Sequence, residues 1–137
     1  MIGLTYPLFA MFGLSFIVGV MSFHARVTAV RSGKVDARYF KTFNVGTPPE
    51  NVIKLSRHYA NLFEVPVLFY TAVLLALVLK IESQSALVWS WLFVVARVVH
   101  AFIHIGPNKL VPRIAAFMMG WVALTGLWVT LFLSIYK

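Results

Sequence analysis

NVIKLSRHYANLFEVPVLFYTAVLLALVL, residues 51–79, changes character at its midpoint. The first half sets Lys54, Arg57, His58, Asn61 and Glu64 among apolar residues, whereas Val65 to Leu79 holds no charged side chain. A helix rises about 1.5 Å per residue, so a segment of this length is long enough to cross a hydrocarbon core roughly 30 Å thick. One end of such a helix suits lipid and the other does not. The segment reads as a membrane span whose inner end carries a polar site.

Working outward, three more stretches have the length and apolarity of a span: residues 5–30, 86–104 and 112–136, beside 51–79 itself. The expected fold class is therefore all-α, an integral-membrane four-helix bundle, as a single domain over residues 1–137. Gly33, Gly46, Pro48 and Pro49 mark 32–50 as the longest loop, and 80–85 is a short turn. Gly106, Pro107 and Asn108 end the third helix, and Pro112 suits the first turn of the fourth. The first 23 residues carry no charge, no Lys or Arg precedes the apolar core and no small-residue cleavage site stands out, so a cleaved signal is not expected and the segment is expected to remain as a helix.

Composition supports the membrane class and removes others. With 61% hydrophobic and 12% charged residues, against about 25% charged in soluble domains, the chain cannot cover itself for water. The net charge of +8 comes from basic residues that flank apolar runs and make no patterned patch, so no nucleic-acid partner is expected. Without cysteine there is no disulfide and no thiolate metal site, and thiol chemistry needs a thiol from outside.

Ten of the twelve Lys and Arg residues, from Arg26 to Arg57 and then Arg97, Lys109 and Arg113, fall on one side; Lys80 and Lys137 fall on the other. The positive-inside rule puts that first side in the cytoplasm and both termini outside. Tyr6, Trp89, Trp91 and Tyr136 lie toward the outer ends, where amphipathic rings prefer the interface.

Arg57, Asn61 and Glu64 are spaced i, i+4, i+7, which at 100° per residue confines them to about 60° of arc. Arg97, His100 and His104, at i, i+3, i+7, make a second stripe of the same width on the third helix. Both lie toward the cytoplasmic ends and can meet at one depth. Charge at that depth costs a few kcal/mol per group and normally faces a partner or a wet cavity.

Each residue also has a plainer reading. Arg57 can snorkel to headgroups, Glu64 can clasp an Arg as a buried pair, and Asn61 can be interhelical glue. Arg97, some eight residues inside its helix, is too deep to snorkel comfortably. Arg113, in the first turn of the fourth helix, adds its charge to the positive end of the macrodipole and suits an anion or thiolate; like Lys109, it also reads as an ordinary positive flank. Arg26 and His24 are equally open. His100 and His104 have the i, i+4 spacing of a metal-binding pair, but no third ligand is evident apart from Glu64, and Arg97 opposes a cation, so no metal is expected.

Four helices in under 150 residues, the run Arg57-His-Tyr-Ala-Asn61-Leu-Phe-Glu64-Val-Pro66, and Arg97-Val-Val-His100 before a basic loop and Arg113 together resemble the MAPEG proteins, the membrane-associated proteins in eicosanoid and glutathione metabolism. The likeness covers nearly the whole chain and is strongest to compact bacterial members, which implies a bacterial inner membrane. It implies a homotrimer binding glutathione as co-substrate between subunits near the cytoplasmic side. Arg26, Arg57 and Arg97 would then suit the two carboxylates, Glu64 the ammonium, and Asn61, His100 and His104 the remaining polar contacts, with Arg113 stabilising the thiolate.

The implied activity is a glutathione transferase or peroxidase acting on lipophilic electrophiles or lipid hydroperoxides. Ile114, Phe117 and His104 stand where prostaglandin-synthase-like members carry Ser, Tyr and Tyr, so prostaglandin synthesis is not implied. The alternative is a non-catalytic trimeric scaffold or lipid-binding protein in which the same residues only fasten helices.

Overall fold

The computed structural model describes residues 2–43 and 46–136, and Lys137, counted above on the outer side, lies outside them. A 3-10 turn at Ile2–Leu4 leads into helix α1, Thr5–Arg31; the long loop contains a single helical turn, α2, Tyr39–Thr42. Then follow α3, Glu50–Asn61, α4, Val65–Val78, α5, Gln84–Ile105, and α6, Leu110–Ile135. The four spans expected from the sequence are present: α1, α3 with α4, α5 and α6 are each long and apolar enough to cross a membrane. Their ends move by one or two residues from the expected bounds, which is the usual fraying of helix termini.

The second span differs in kind. The helix expected over 51–79 is broken at residues 62–64. Pro66 has no N–H to give the Leu62 carbonyl, and its ring crowds that carbonyl. The backbone answers with short-range bonds: Phe63 N donates to the Ala60 carbonyl at 2.9 Å and Glu64 N to that of Asn61 at 3.4 Å. Glu64 takes a non-helical conformation before α4 begins. Broken helices are tolerated at membrane depth where neighbouring protein satisfies the freed groups. Here the carbonyl of Asn61 also meets Arg97 of α5.

The end of α4, the start of α5 and the N-terminal turn lie together, lining one groove through Gly3, Leu4, Ile81 and Leu87. The loops after α1 and α5 lie at the opposite end of the bundle, because consecutive spans alternate in direction. Ser83 caps α5, its hydroxyl accepting from Ala86 N at 3.2 Å.

The core lies between α1, α4, α5 and α6, where Met11, Phe69, Phe93, Leu127 and Leu131 are fully buried. Phe69 and Phe93 stack with centroids 4.6 Å apart. Since lipid is as apolar as these side chains, close packing holds the helices together more than water exclusion does. Glycines let them approach: a Cβ at Gly126 of α6 would stand 2.6 Å from the Trp89 ring of α5, and one at Gly120 would touch Arg97 Cδ at 3.6 Å. A smaller cluster of Ala25, Ala29, Val35, Val52 and Leu55, with Tyr39 and Phe40 of α2 against it, joins α1 to α3 at the charged end.

Candidate functional site

The two polar stripes meet. Arg97 is wholly buried, about 12 Å along the helix from the end of α5 at 1.5 Å per residue. Its Nη2 donates to Asn61 Oδ1 in a short hydrogen bond and to the Asn61 carbonyl at 3.5 Å. Asn61 Nδ2 in turn donates to Glu64 Oε2 at 3.2 Å. An amide has one accepting and one donating end, so Asn61 is suited to stand between a guanidinium and a carboxylate. Among the described residues Glu64 makes no ion pair with either Arg57 or Arg97, so the direct clasp considered from the sequence is replaced by a bridge through the amide.

Arg97 Nε and Nη1 are buried without a hydrogen-bond partner, and its Cζ lies 5.7 Å from the ring centre of Phe117. A buried guanidinium with unmet donors is expensive, so this arrangement demands an acceptor. Beside it is a cavity of about 260 Å³ lined by Arg57, Asn61, Glu64, His100, His104, Arg113, Ile114 and Phe117. Six of the eight residues singled out from the sequence border it, and Arg97 joins through Asn61.

Arg26 does not join. Its guanidinium donates to Ser56 Oγ at 3.0 and 3.2 Å and lies over Phe40, on a different groove that it shares with Arg57. The sequence places Arg26 at the right depth, but the side of α1 it occupies turns it toward the other flank of α3. Arg57 stands between the two grooves.

Arg113 sits in the first turn of α6. Its Nη1 donates to Asn108 Oδ1 at 2.7 Å, and its carbonyl receives His100 Nδ1 at 3.1 Å. Asn108 has φ +51, a left-handed conformation that Asn adopts more readily than most residues. The turn thus aims an amide oxygen that fixes the guanidinium.

A family model matches residues 4–133. The chain belongs to the MAPEG family. The match covers nearly all of this MAPEG chain, and the run from Arg57 to Pro66 that suggested the resemblance lies within it. Searches of curated proteins and of solved structures return no significant match.

Three residues that hold or adjoin the predicted side chains were not among the site residues singled out from the sequence. Ser56 and Asn108 hold Arg26 and Arg113. The third is His58, wholly buried, whose ring centroid lies 5.5 Å from that of His100 and 5.0 Å from that of His104. It supplies the third imidazole that the spacing of His100 and His104 lacked. One step from Arg57, it is turned 100° away from the Arg57 stripe and into the bundle.

Proposed function

We propose that this protein is a membrane-embedded glutathione-dependent transferase or peroxidase acting on lipophilic electrophiles or lipid hydroperoxides. The observation that carries the reading is Arg97: buried, with two donor nitrogens unmet, and joined through Asn61 to a cavity lined by Arg57, Arg113 and Glu64. Glutathione offers two carboxylates, an ammonium and a thiol. Guanidinium donors suit the carboxylates, and Glu64, steered by Asn61, suits the ammonium.

The cavity of about 260 Å³ falls just short of the roughly 300–1,000 Å³ of enclosed ligand sites. That supports a groove completed by a neighbouring subunit. A homotrimer that brought the Arg26 groove of one chain to the Arg97 cavity of another would unite the implied set.

In this reading Arg113 and the start of α6 stabilise the thiolate. Lowering a thiol of pKa about 8.5 by about two units contributes roughly 2.7 kcal/mol toward the nucleophile. The thiolate attacks an electrophilic carbon to give a thioether, and the displaced electron pair departs with a leaving anion or, in a conjugate addition, moves onto the acceptor and takes up a proton. With a hydroperoxide it displaces alcohol and forms a sulfenic acid, which a second glutathione converts to disulfide and water.

A second reading is a non-catalytic trimeric scaffold or lipid-binding protein, with no glutathione turnover, in which the same Arg and Glu residues fasten helices. It draws on Ile114 and Phe117, whose apolar side chains line the cavity and offer no hydroxyl to the reacting atoms.

The test is the thermal stability of purified protein in detergent across a glutathione titration, with Glu64→Ala and Arg97→Ala alongside. The expected outcome is a saturable rise for the wild type that both variants lose, since a ligand of the folded state stabilises it by mass action. No rise at any concentration would remove the glutathione reading and select the second. A rise with neither conjugation nor peroxidase turnover would leave glutathione binding but remove the catalytic reading. The charge asymmetry supports placing this end of the bundle in the cytoplasm, with the termini outside.

A further inference from the structure

His58, His100 and His104 lie where α3 packs on α5, and each offers one ring nitrogen to a set whose members all fall within 4.8 Å of one another. Both nitrogens of His58 and Nδ1 of His104 are buried with no hydrogen-bond partner. His100 differs: its Nδ1 is engaged by the Arg113 carbonyl, which accepts only from a protonated nitrogen and so leaves Nε2 with its lone pair. A carbonyl that fixes the tautomer in this way is the usual support of a metal-binding histidine.

The rings are tilted by 33°, 43° and 57° with centroids 5.0–5.6 Å apart, an arrangement in which no pair is stacked face to face. We propose that His58, His100 and His104 form a transition-metal site, three neutral imidazole ligands with a fourth position open toward the cavity beside Glu64 and Arg113.

The geometry is close to what such a site needs. Zinc–imidazole bonds of about 2.0–2.1 Å place tetrahedral ligand atoms about 3.4 Å apart. Reaching that from a spread of at most 4.8 Å takes small side-chain rotations. His100 and His104 supply the pair one helical turn apart that binds zinc from a single helix face, and His58 reaches it from the next helix. Three protein ligands and an open position are the pattern of catalytic rather than closed structural sites.

The surrounding charge selects among metals and ligands. Neutral imidazoles leave the whole charge of the ion in place, and Arg57, Arg97 and Arg113 raise the potential further. An anionic fourth ligand, a hydroxide or a thiolate, offsets this, as does the carboxylate of Glu64 on the same cavity. Imidazole donors suit zinc, copper, iron and nickel, and no oxygen ligand belongs to the proposed set, which disfavours magnesium and calcium.

The test is a cobalt(II) titration of the full chain in detergent, tag removed and stripped with chelator, with no glutathione present. It therefore succeeds or fails apart from the glutathione reading. The expected result is saturation at about one ion per chain with the intense visible bands of four-coordinate cobalt, displaced by zinc. His58→Gln and His104→Gln should each weaken binding at least about tenfold and alter the bands, while Glu64→Gln, which removes only an offsetting charge, keeps the bands at saturating cobalt. His104 is only partly buried, so that variant decides the matter if His58→Gln fails to fold. Only the faint absorption of six-coordinate cobalt, bands unchanged in His104→Gln, or bands lost in Glu64→Gln would overturn the three-histidine site.

Discussion

Replacing Asn61 by leucine, close to it in size, removes both ends of the bridge between Glu64 and Arg97. Arg97 Nη2 keeps only the 3.5 Å contact to the residue 61 carbonyl, beside Nε and Nη1, which already have no partner. A hydrogen bond from a charged group contributes about 1.5–3 kcal/mol in soluble proteins, whereas interhelical bonds in membranes average about 0.6 and reach about 1.7. A fully buried, charged donor belongs at the upper end of the membrane range, so Asn61→Leu should destabilise by about 1.5 kcal/mol, roughly tenfold in the folding equilibrium. Arg97→Met alone should also destabilise, because it strips the Asn61 oxygen of its donor. The double variant leaves neither partner orphaned and should cost less than the sum of the two by about 1–1.5 kcal/mol. The assay is reversible unfolding in mixed micelles followed by helical circular dichroism for all four proteins of the cycle. Additivity within about 0.5 kcal/mol would refute the bridge.

Gly126→Ala should destabilise by about 1–3 kcal/mol through overpacking, since its Cβ would fall 2.6 Å from the Trp89 ring; Trp89→Leu in the same chain should restore much of the loss in the same unfolding assay. Asn108→Gly keeps the left-handed turn but drops the bond to Arg113, so it should leave stability within about 1 kcal/mol while lowering the proposed glutathione turnover through kcat more than KM. Pro66→Ala returns an N–H to the Leu62 carbonyl, and amide exchange across residues 62–67 should slow as the break closes; unchanged exchange there would show that packing, not proline, breaks the helix.

The site was readable in part because charge in an apolar helix is conspicuous. Arg57, Asn61, Glu64, Arg97, His100, His104 and Arg113 announce themselves against lipid-compatible neighbours, and the two stripes on different spans had to share a depth. Arg26 was equally conspicuous, but its partner Ser56 is a small hydroxyl with no such contrast. His58 was visible and yet uninformative, because one residue's separation from Arg57 says only that the two point in different directions. The break after Asn61 was foreshadowed by Pro66, but where the freed carbonyl would find its donor was not.

Sequence by itself determined the number of spans, their approximate ends, the charged end of the bundle and the family, because the cost of burying charge and unpaired backbone in lipid leaves few alternatives. Tertiary structure alone decided that Asn61 would stand between Glu64 and Arg97, that Arg26 would face another groove, and that three histidines would converge. Helical periodicity fixes the angle between residues on one helix; the rotation of each helix against its neighbours, set by packing at places such as Gly126 and Trp89, decides which of those angles face each other.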